Sequence, residues 1–110
     1  MKEQRAAYRI TDLAESQRPR ERLAKHGPRA LSNAELLAIL LRVGVSGENA
    51  VQVGQRLLLK FGGVTGLHRA GFDEVCDQYG VGPAKAAQIK AALELGHRLS
   101  LECLSRNNFE

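Results

Sequence analysis

Aromatic residues are scarce in this chain of 110 residues: there is no tryptophan, and only two tyrosines and three phenylalanines. Aromatic and β-branched runs are correspondingly short, and apolar residues recur at helical spacing, which excludes a fold built on strands. Cysteine is scarce as well. Cys76 and Cys103 stand in no CxxC or Cys/His ligand spacing, so neither a zinc site nor a disulfide framework is encoded. Cys76 falls on the apolar stripe of its segment and is expected in the core as a small buried hydrophobe. A long hydrophobic run is missing too. The apolar stretch from Ala34 to Val43 is too short to span a bilayer, and the N-terminus lacks a signal-peptide core. These absences predict a soluble, cytoplasmic, all-α protein of one domain with a modest core and no membrane partner.

Charge is present in both signs, with a net of +4 and a pI near 9.4, which favours acidic partners such as nucleic acid. Its distribution is uneven. Residues 1–30 carry eight Lys/Arg against four acids, whereas residues 72–96 carry only Lys85 and Lys90 against Asp73, Glu74, Asp77 and Glu94. Long-range attraction therefore belongs to the N-terminal third. Arg18, Arg20 and Arg22 form an alternating charged run whose ordinary role is a solvated face with local Glu pairs, and which is also a possible basic contact face.

The chain divides into a polar arm over 1–17, with a short ordered piece around Tyr8 to Leu13, a helical domain over 18–101, and a frayed tail or linker start over 102–110. Pro19 opens a short helix that Gly27 closes. Ser32 and Glu35 form a capping box for a central core helix reaching Arg42. Gly44-Val45-Ser46-Gly47 breaks it, a helix from about Asn49 to Phe61 follows, and Gly62-Gly63 ends that one. Phe72, Val75, Cys76 and Tyr79 fall at i, i+3, i+4 and i+7, predicting a helix that buries one stripe and runs into Gly80. Pro83 then suits the first turn of a last helix, to about Leu101.

Helix, Gly80-Val81-Gly82 turn and helix together make the helix-hairpin-helix pattern. The N–H groups of Val81, Gly82 and the residues after Pro83 lie at a helix start, where intrahelical acceptors are lacking and the helix dipole favours an anion. A phosphate of DNA is the predicted ligand, held by Gly80, Val81, Gly82 and Ala84 with help from Lys85 and Lys90. The alternatives are plain: a tight turn without ligand, and solvated lysines. Ala86 and Ile89 are expected in the core.

Shifting the sequence by 36 positions places Gly44-Val45 on Gly80-Val81, Ala50 on Ala86, Gln52 on Gln88, Val53 on Ile89, Leu57 on Leu93 and Leu59 on Leu95. Two hairpins would let each bury the other's apolar face. The first copy has Ser46-Gly47 where the second has Gly82-Pro83, and is expected to be the degenerate, structural member.

Blocks across residues 8–101 carry a family resemblance. They are Arg18-Pro19-Arg20-Glu21-Arg22-Leu23, then Ala30-Leu31-Ser32-Asn33-Ala34-Glu35-Leu36-Leu37-Ala38-Ile39-Leu40-Leu41-Arg42-Val43-Gly44, Leu58-Leu59-Lys60-Phe61-Gly62-Gly63 and Gly80-Val81-Gly82-Pro83-Ala84-Lys85-Ala86-Ala87-Gln88-Ile89. In this order and spacing the chain resembles the N-terminal region of the RadC (UPF0758) family, bacterial proteins named for DNA repair. The resemblance implies a small orthogonal helical bundle, a tandem helix-hairpin-helix like RuvA domain 2. It also implies a second domain, resembling JAMM/MPN metalloproteases, with a zinc site that is absent from these residues. One departure stands out: family members often place Ser or Thr where this chain has Gly71, a weaker cap.

Within these residues no nucleophile, base and orienting group converge, and His26, His68 and His97 form no His-x-His pair. No catalytic residue, metal ligand or cofactor is predicted, and zinc is expected only in the second domain. Two functions are expected to compete. One is a DNA-binding module without sequence preference; the other is a docking or dimerisation domain that positions the metalloprotease-like domain. The predicted assembly is a monomer or weak dimer.

Overall fold

Residues 18–108 are described by the structure, a computed structural model, so the predicted polar arm over 1–17 lies outside the described residues. The order is α1 (Pro19–His26), a 3-10 turn (Pro28–Ala30), α2 (Asn33–Leu41), α3 (Ala50–Phe61), α4 (Gly63–Arg69), α5 (Phe72–Cys76) and α6 (Gly82–Asn108). No strand occurs among the described residues, and the chain is all-α as predicted. Local signals start and stop these helices. Pro19 occupies the first turn of α1, and the Gly27 N–H donates to the Leu23 carbonyl at its end. At the start of α2 the Glu35 N–H donates to Ser32 Oγ (3.1 Å) while the Ser32 N–H donates to Glu35 Oε1 (2.9 Å). Asn49 and Gln52 repeat this reciprocal cap for α3, at 2.8 Å each way.

Helix α2 lies at the centre, packed on α1, α3 and α6, while α4 packs on α3 and α6 and α5 on α6. The core joins Leu37, Ala38 and Leu41 of α2 to Ala50, Val53 and Leu57 of α3, and then to Leu67, Val75, Val81, Ala86 and Ile89. Each of Leu41, Leu57, Leu67 and Ile89 is fully buried, and such burial stabilises by about 1.5–3 kcal/mol per side chain. A second joint is polar. Arg22 of α1 pairs with Glu35 of α2 and also donates to the Ala30 carbonyl (3.1 Å), clamping α1 and the 3-10 turn to the head of α2. The Glu35 carboxyl is held below its ordinary pKa by the Ser32 backbone N–H, with Arg22 adding to the effect.

Three local expectations need correction. Helix α5 ends at Cys76, not at Gly80, where the Asp77 N–H donates to the Asp73 carbonyl (3.0 Å) and the Gln78 N–H to that of Val75 (3.1 Å). The expected stripe therefore buries only its middle. Val75 is fully buried and Cys76 half-buried, while Phe72 and Tyr79 are exposed. Helix α6, by contrast, does not fray after Leu101 but continues to Asn108. At the head of α5 the weak cap is partly made good, since the Gly71 N–H donates to Glu74 Oε1 at 2.9 Å.

Most residues paired by the 36-position shift have matching environments, the exceptions being Leu57 and Leu93 (buried and half-buried) and Val45 and Val81 (half-buried and buried). Ala50 and Ala86 are fully buried, Val53 and Ile89 are buried, and Leu59 and Leu95 are both exposed. The two copies differ in where the second helix begins. In the second copy α6 starts right at the glycine turn, whereas in the first copy α3 starts only at Ala50.

Candidate nucleic-acid interface

Between α5 and α6 the chain reverses through Gly80 (φ 87°) and Gly82 (φ 70°), left-handed values that cost other residues steric strain. Val81 sits between them with its side chain buried in the core, and its N–H donates to the Gln78 carbonyl at 3.0 Å. The turn is thus pinned from below. The Val81 N–H is also engaged, contrary to its expected role as an open donor. Gly82 has open space around it, and Pro83 and Ala84 are exposed, so the first turn of α6 faces solvent. N–H groups at that position lack intrahelical acceptors, and the dipole of a helix as long as 27 residues adds partial positive charge.

The first glycine turn is built differently. Val45 and Glu48 exchange backbone hydrogen bonds (2.8 and 3.1 Å), a small bridge that delays α3 until Asn49 can cap it. Gly44 is enclosed: an added Cβ would collide with the Glu48 carbonyl oxygen and lie 2.6 Å from Asn49 Cα. This turn presents no open helix start.

The two turns abut. A Cβ on Gly80 would meet Val45 Cγ1 at 3.0 Å. Arg56 of α3 grips Glu48 through Nε and Nη2 (2.9–3.2 Å), donates to the Tyr79 carbonyl at 2.6 Å, and lies 5.9 Å from the Tyr79 ring. The Glu48 carboxylate holds the Arg56 guanidinium above its ordinary pKa. Lys85 of α6 answers from the other side, with its ammonium 3.3 Å from the Val43 carbonyl and 3.5 Å from that of Gly80. Val43 and Tyr79 are equivalent under the 36-position shift, each immediately before a turn glycine. A cation from one copy therefore satisfies the carbonyl before the other copy's turn.

The remaining predicted cations scatter. Lys90 does not border the turn; its ammonium donates to the carbonyls of Leu67 (3.3 Å), His68 (2.7 Å) and Ala70, at the C-terminal end of α4. There it neutralises the carbonyl end of a helix, as a basic residue in that position does. Arg22 is committed to Glu35 and the Ala30 carbonyl, Arg18 lies 3.8 Å from Glu21, and Arg20 is exposed. Arg56 and Glu48 were not singled out by the sequence. Their i, i+8 spacing crosses a loop whose shape no local pattern discloses.

His68 lies beside Glu94 (3.5 Å) and its ring centroid is 5.2 Å from that of His97, while Arg98 pairs with Glu94 at 3.0 Å. Arg98 and then His68 hold Glu94 below its ordinary pKa. Among the described residues no cluster of His, Cys, Asp or Glu could hold a metal ion, and no helix is long and apolar enough to cross a membrane.

The chain is similar over most of its length to bacterial proteins. A UPF0758 protein of Roseiflexus castenholzii is 59% identical over 93 residues, covering 84% of this chain and 40% of its own length. One from Chloroflexus aggregans is 54% identical over 94 residues (86% of this chain, 41% of its own). One from Dechloromonas aromatica is 54% identical over 102 residues (91% and 45%). The chain thus spans about two fifths of the length of the curated relatives it matches. No solved structure matches it. The description UPF0758 N-terminal fits residues 10–87, from before α1 into the first turns of α6, and the chain belongs to the UPF0758 family through that region.

Proposed function

We propose that this chain is a DNA-binding module without sequence preference, a helix-hairpin-helix whose second glycine turn receives a backbone phosphate. The observation that carries this reading is the Gly80-Val81-Gly82 turn, anchored through Val81 and opening directly onto the solvent-facing start of α6. The donors are the N–H groups of Gly82 and Ala84, with the Lys85 ammonium at the rim. Two long hydrogen bonds to carbonyls leave that ammonium a third proton for a phosphate oxygen. Lys90 supports α4 and plays no part. Backbone contacts carry no base information, so binding follows the shape of the nucleic acid and not its sequence.

Titration of duplex and branched DNA at several salt concentrations tests this, since affinity should fall steeply as salt rises. Gly82→Asp combined with Lys85→Glu should abolish binding in a folded protein. Absence of binding at low salt, or binding indifferent to both changes, rules the reading out.

A second reading has its own observation. From Leu95 to Arg106 every residue of α6 is exposed, and Leu95, Leu99, Leu101 and Leu104 are each more than half exposed. Such a helix end gains stability by docking. Because the relatives are more than twice as long as the matched region, the occupant in this reading is the remainder of the full-length protein, the metalloprotease-like domain of the family resemblance. Pull-down of that domain from a relative, with Leu95→Lys/Leu99→Lys as the control, tests it. A wild-type chain that ignores the domain removes this second reading.

A further inference from the structure

Arg42 is the one non-glycine residue with a positive φ among the described residues (φ 74°, ψ −56°). It forms the centre of a γ-turn, closed by the Val43 N–H donating to the Leu41 carbonyl at 2.9 Å. This is the strained form of that turn, which a side chain makes unfavourable and a glycine would adopt freely. The next residue, Val43, offers its carbonyl to Lys85, and Val45 packs against Gly80. Arg42 therefore stands where the two glycine turns meet. Its N–H donates to the Ala38 carbonyl at 2.8 Å, but its side chain is exposed and makes no hydrogen bond or ion pair among the described residues. The strain is thus attached to a cation that the fold itself does not use.

We propose that Arg42 is a phosphate-contacting residue of the same DNA surface, and that its strained turn is kept for the side chain it carries. The structural turn thereby contributes a charge to the binding turn. This rests on the reading of the Gly80-Val81-Gly82 turn as a phosphate site. An internal role alone would be served better by glycine, since the Val43 carbonyl and the Gly44 contact need only the backbone path. Strain concentrated at one exposed, charged residue is the pattern of a functional position.

The experiment compares wild type with Arg42→Gly, Arg42→Lys and, as a control for net charge, Arg106→Ala at an exposed position far along α6. Melting temperature is read alongside affinity for a linear duplex across a salt series. Arg42→Gly is expected to raise Tm by roughly 4–8 °C by releasing the strain of one residue. It should also weaken binding roughly threefold to tenfold and make the log–log salt slope shallower by about 0.9, the signature of one lost phosphate contact. Arg42→Lys should recover most of the slope, and Arg106→Ala should alter neither quantity. A Tm that falls in Arg42→Gly overturns the strain argument. Unchanged affinity in Arg42→Gly, or an equal loss in Arg106→Ala, overturns the contact. If Gly82→Asp/Lys85→Glu weakens binding while Arg42→Gly does not, only the inference about Arg42 fails. If the wild type binds no DNA at low salt, the reading of the glycine turn fails with it.

Discussion

The turn at 44–47 and the turn at 80–82 begin with the same dipeptide, Gly-Val, and end in unlike structures. In the first, Val45 and Glu48 bridge their backbones and Asn49 and Gln52 cap α3 reciprocally, so the N–H groups of Asn49 and Gln52 at that helix start are satisfied from within. In the second, Gly82 and Pro83 lead straight into α6 with no side-chain cap residue before it. The same repeat thus yields one closed turn and one open one. Capping decides the difference, because a phosphate can be bound only where the protein has not already supplied an oxygen.

The contrast can be broken most forcefully at Gly44. Its enclosed position leaves no room for a methyl group, so Gly44→Ala should cost about 3 kcal/mol or more, a penalty of the overpacked kind. Gly82→Ala has open space and only a positive φ to resist it, and should cost about 1 kcal/mol. Chemical denaturation of both variants checks the ratio, and equal losses would contradict the closed–open distinction.

Arg56 comes next, since it holds Glu48 of one turn and the Tyr79 carbonyl of the other. Arg56→Ala is expected to cost about 1–2 kcal/mol, discounted for the partial exposure of the pair. A double-mutant cycle with Glu48→Gln should yield a coupling of about 0.5–1 kcal/mol. Zero coupling would mean that the Arg56–Glu48 pair adds nothing to the joint, which then rests on Arg56 at the Tyr79 carbonyl, Lys85 at the Val43 carbonyl and Val45 against Gly80.

The two lysines sharpen the comparison further. Lys90→Ala should lower stability by about 1 kcal/mol, by removing the cation at the end of α4, and leave the salt slope of DNA binding unchanged. Lys85→Ala should do the reverse, lowering stability little and reducing the slope by about 0.9. An identical response from both would show that general charge, not the open turn, sets the affinity.

The smallest effect lies outside both turns, at the α1–α2 joint, and serves as a control. The folded-state pKa of Glu35 is depressed, so its contribution to stability is present above the unfolded carboxyl value, near 4.5, and is lost as pH falls through the folded value. Glu35→Gln should therefore flatten the acid limb of a stability–pH profile and leave the neutral limb parallel to wild type. An acid limb of unaltered slope would place the acid sensitivity elsewhere.

Much of the fold was legible because its signals are local. Pro19, Gly27, the Ser32/Glu35 box and the glycine pairs mark helix ends through contacts within a few residues, and α1, α2 and α3 begin and end close to where those signals lie. The apolar spacing likewise singled out Ala86, Val53, Leu57 and Ile89 as a shared core. The end of α5 departs from its apolar spacing. A spacing rule extends the stripe from Phe72 to Tyr79, but Tyr79 is drawn out of the helix, where its carbonyl meets Arg56. The fate of Lys90 was equally hidden, because only the packing of α4 against α6 places three carbonyls around its ammonium.

By itself the sequence determined the all-α class, the helix starts, the repeat and the position of the glycine turn, since each depends on steric preference or capping between near neighbours. Tertiary structure decided which of the two turns stays open, which cation serves which carbonyl, and that Arg42 carries strain. Those outcomes depend on how two distant halves of the chain meet, and no short-range pattern contains that geometry.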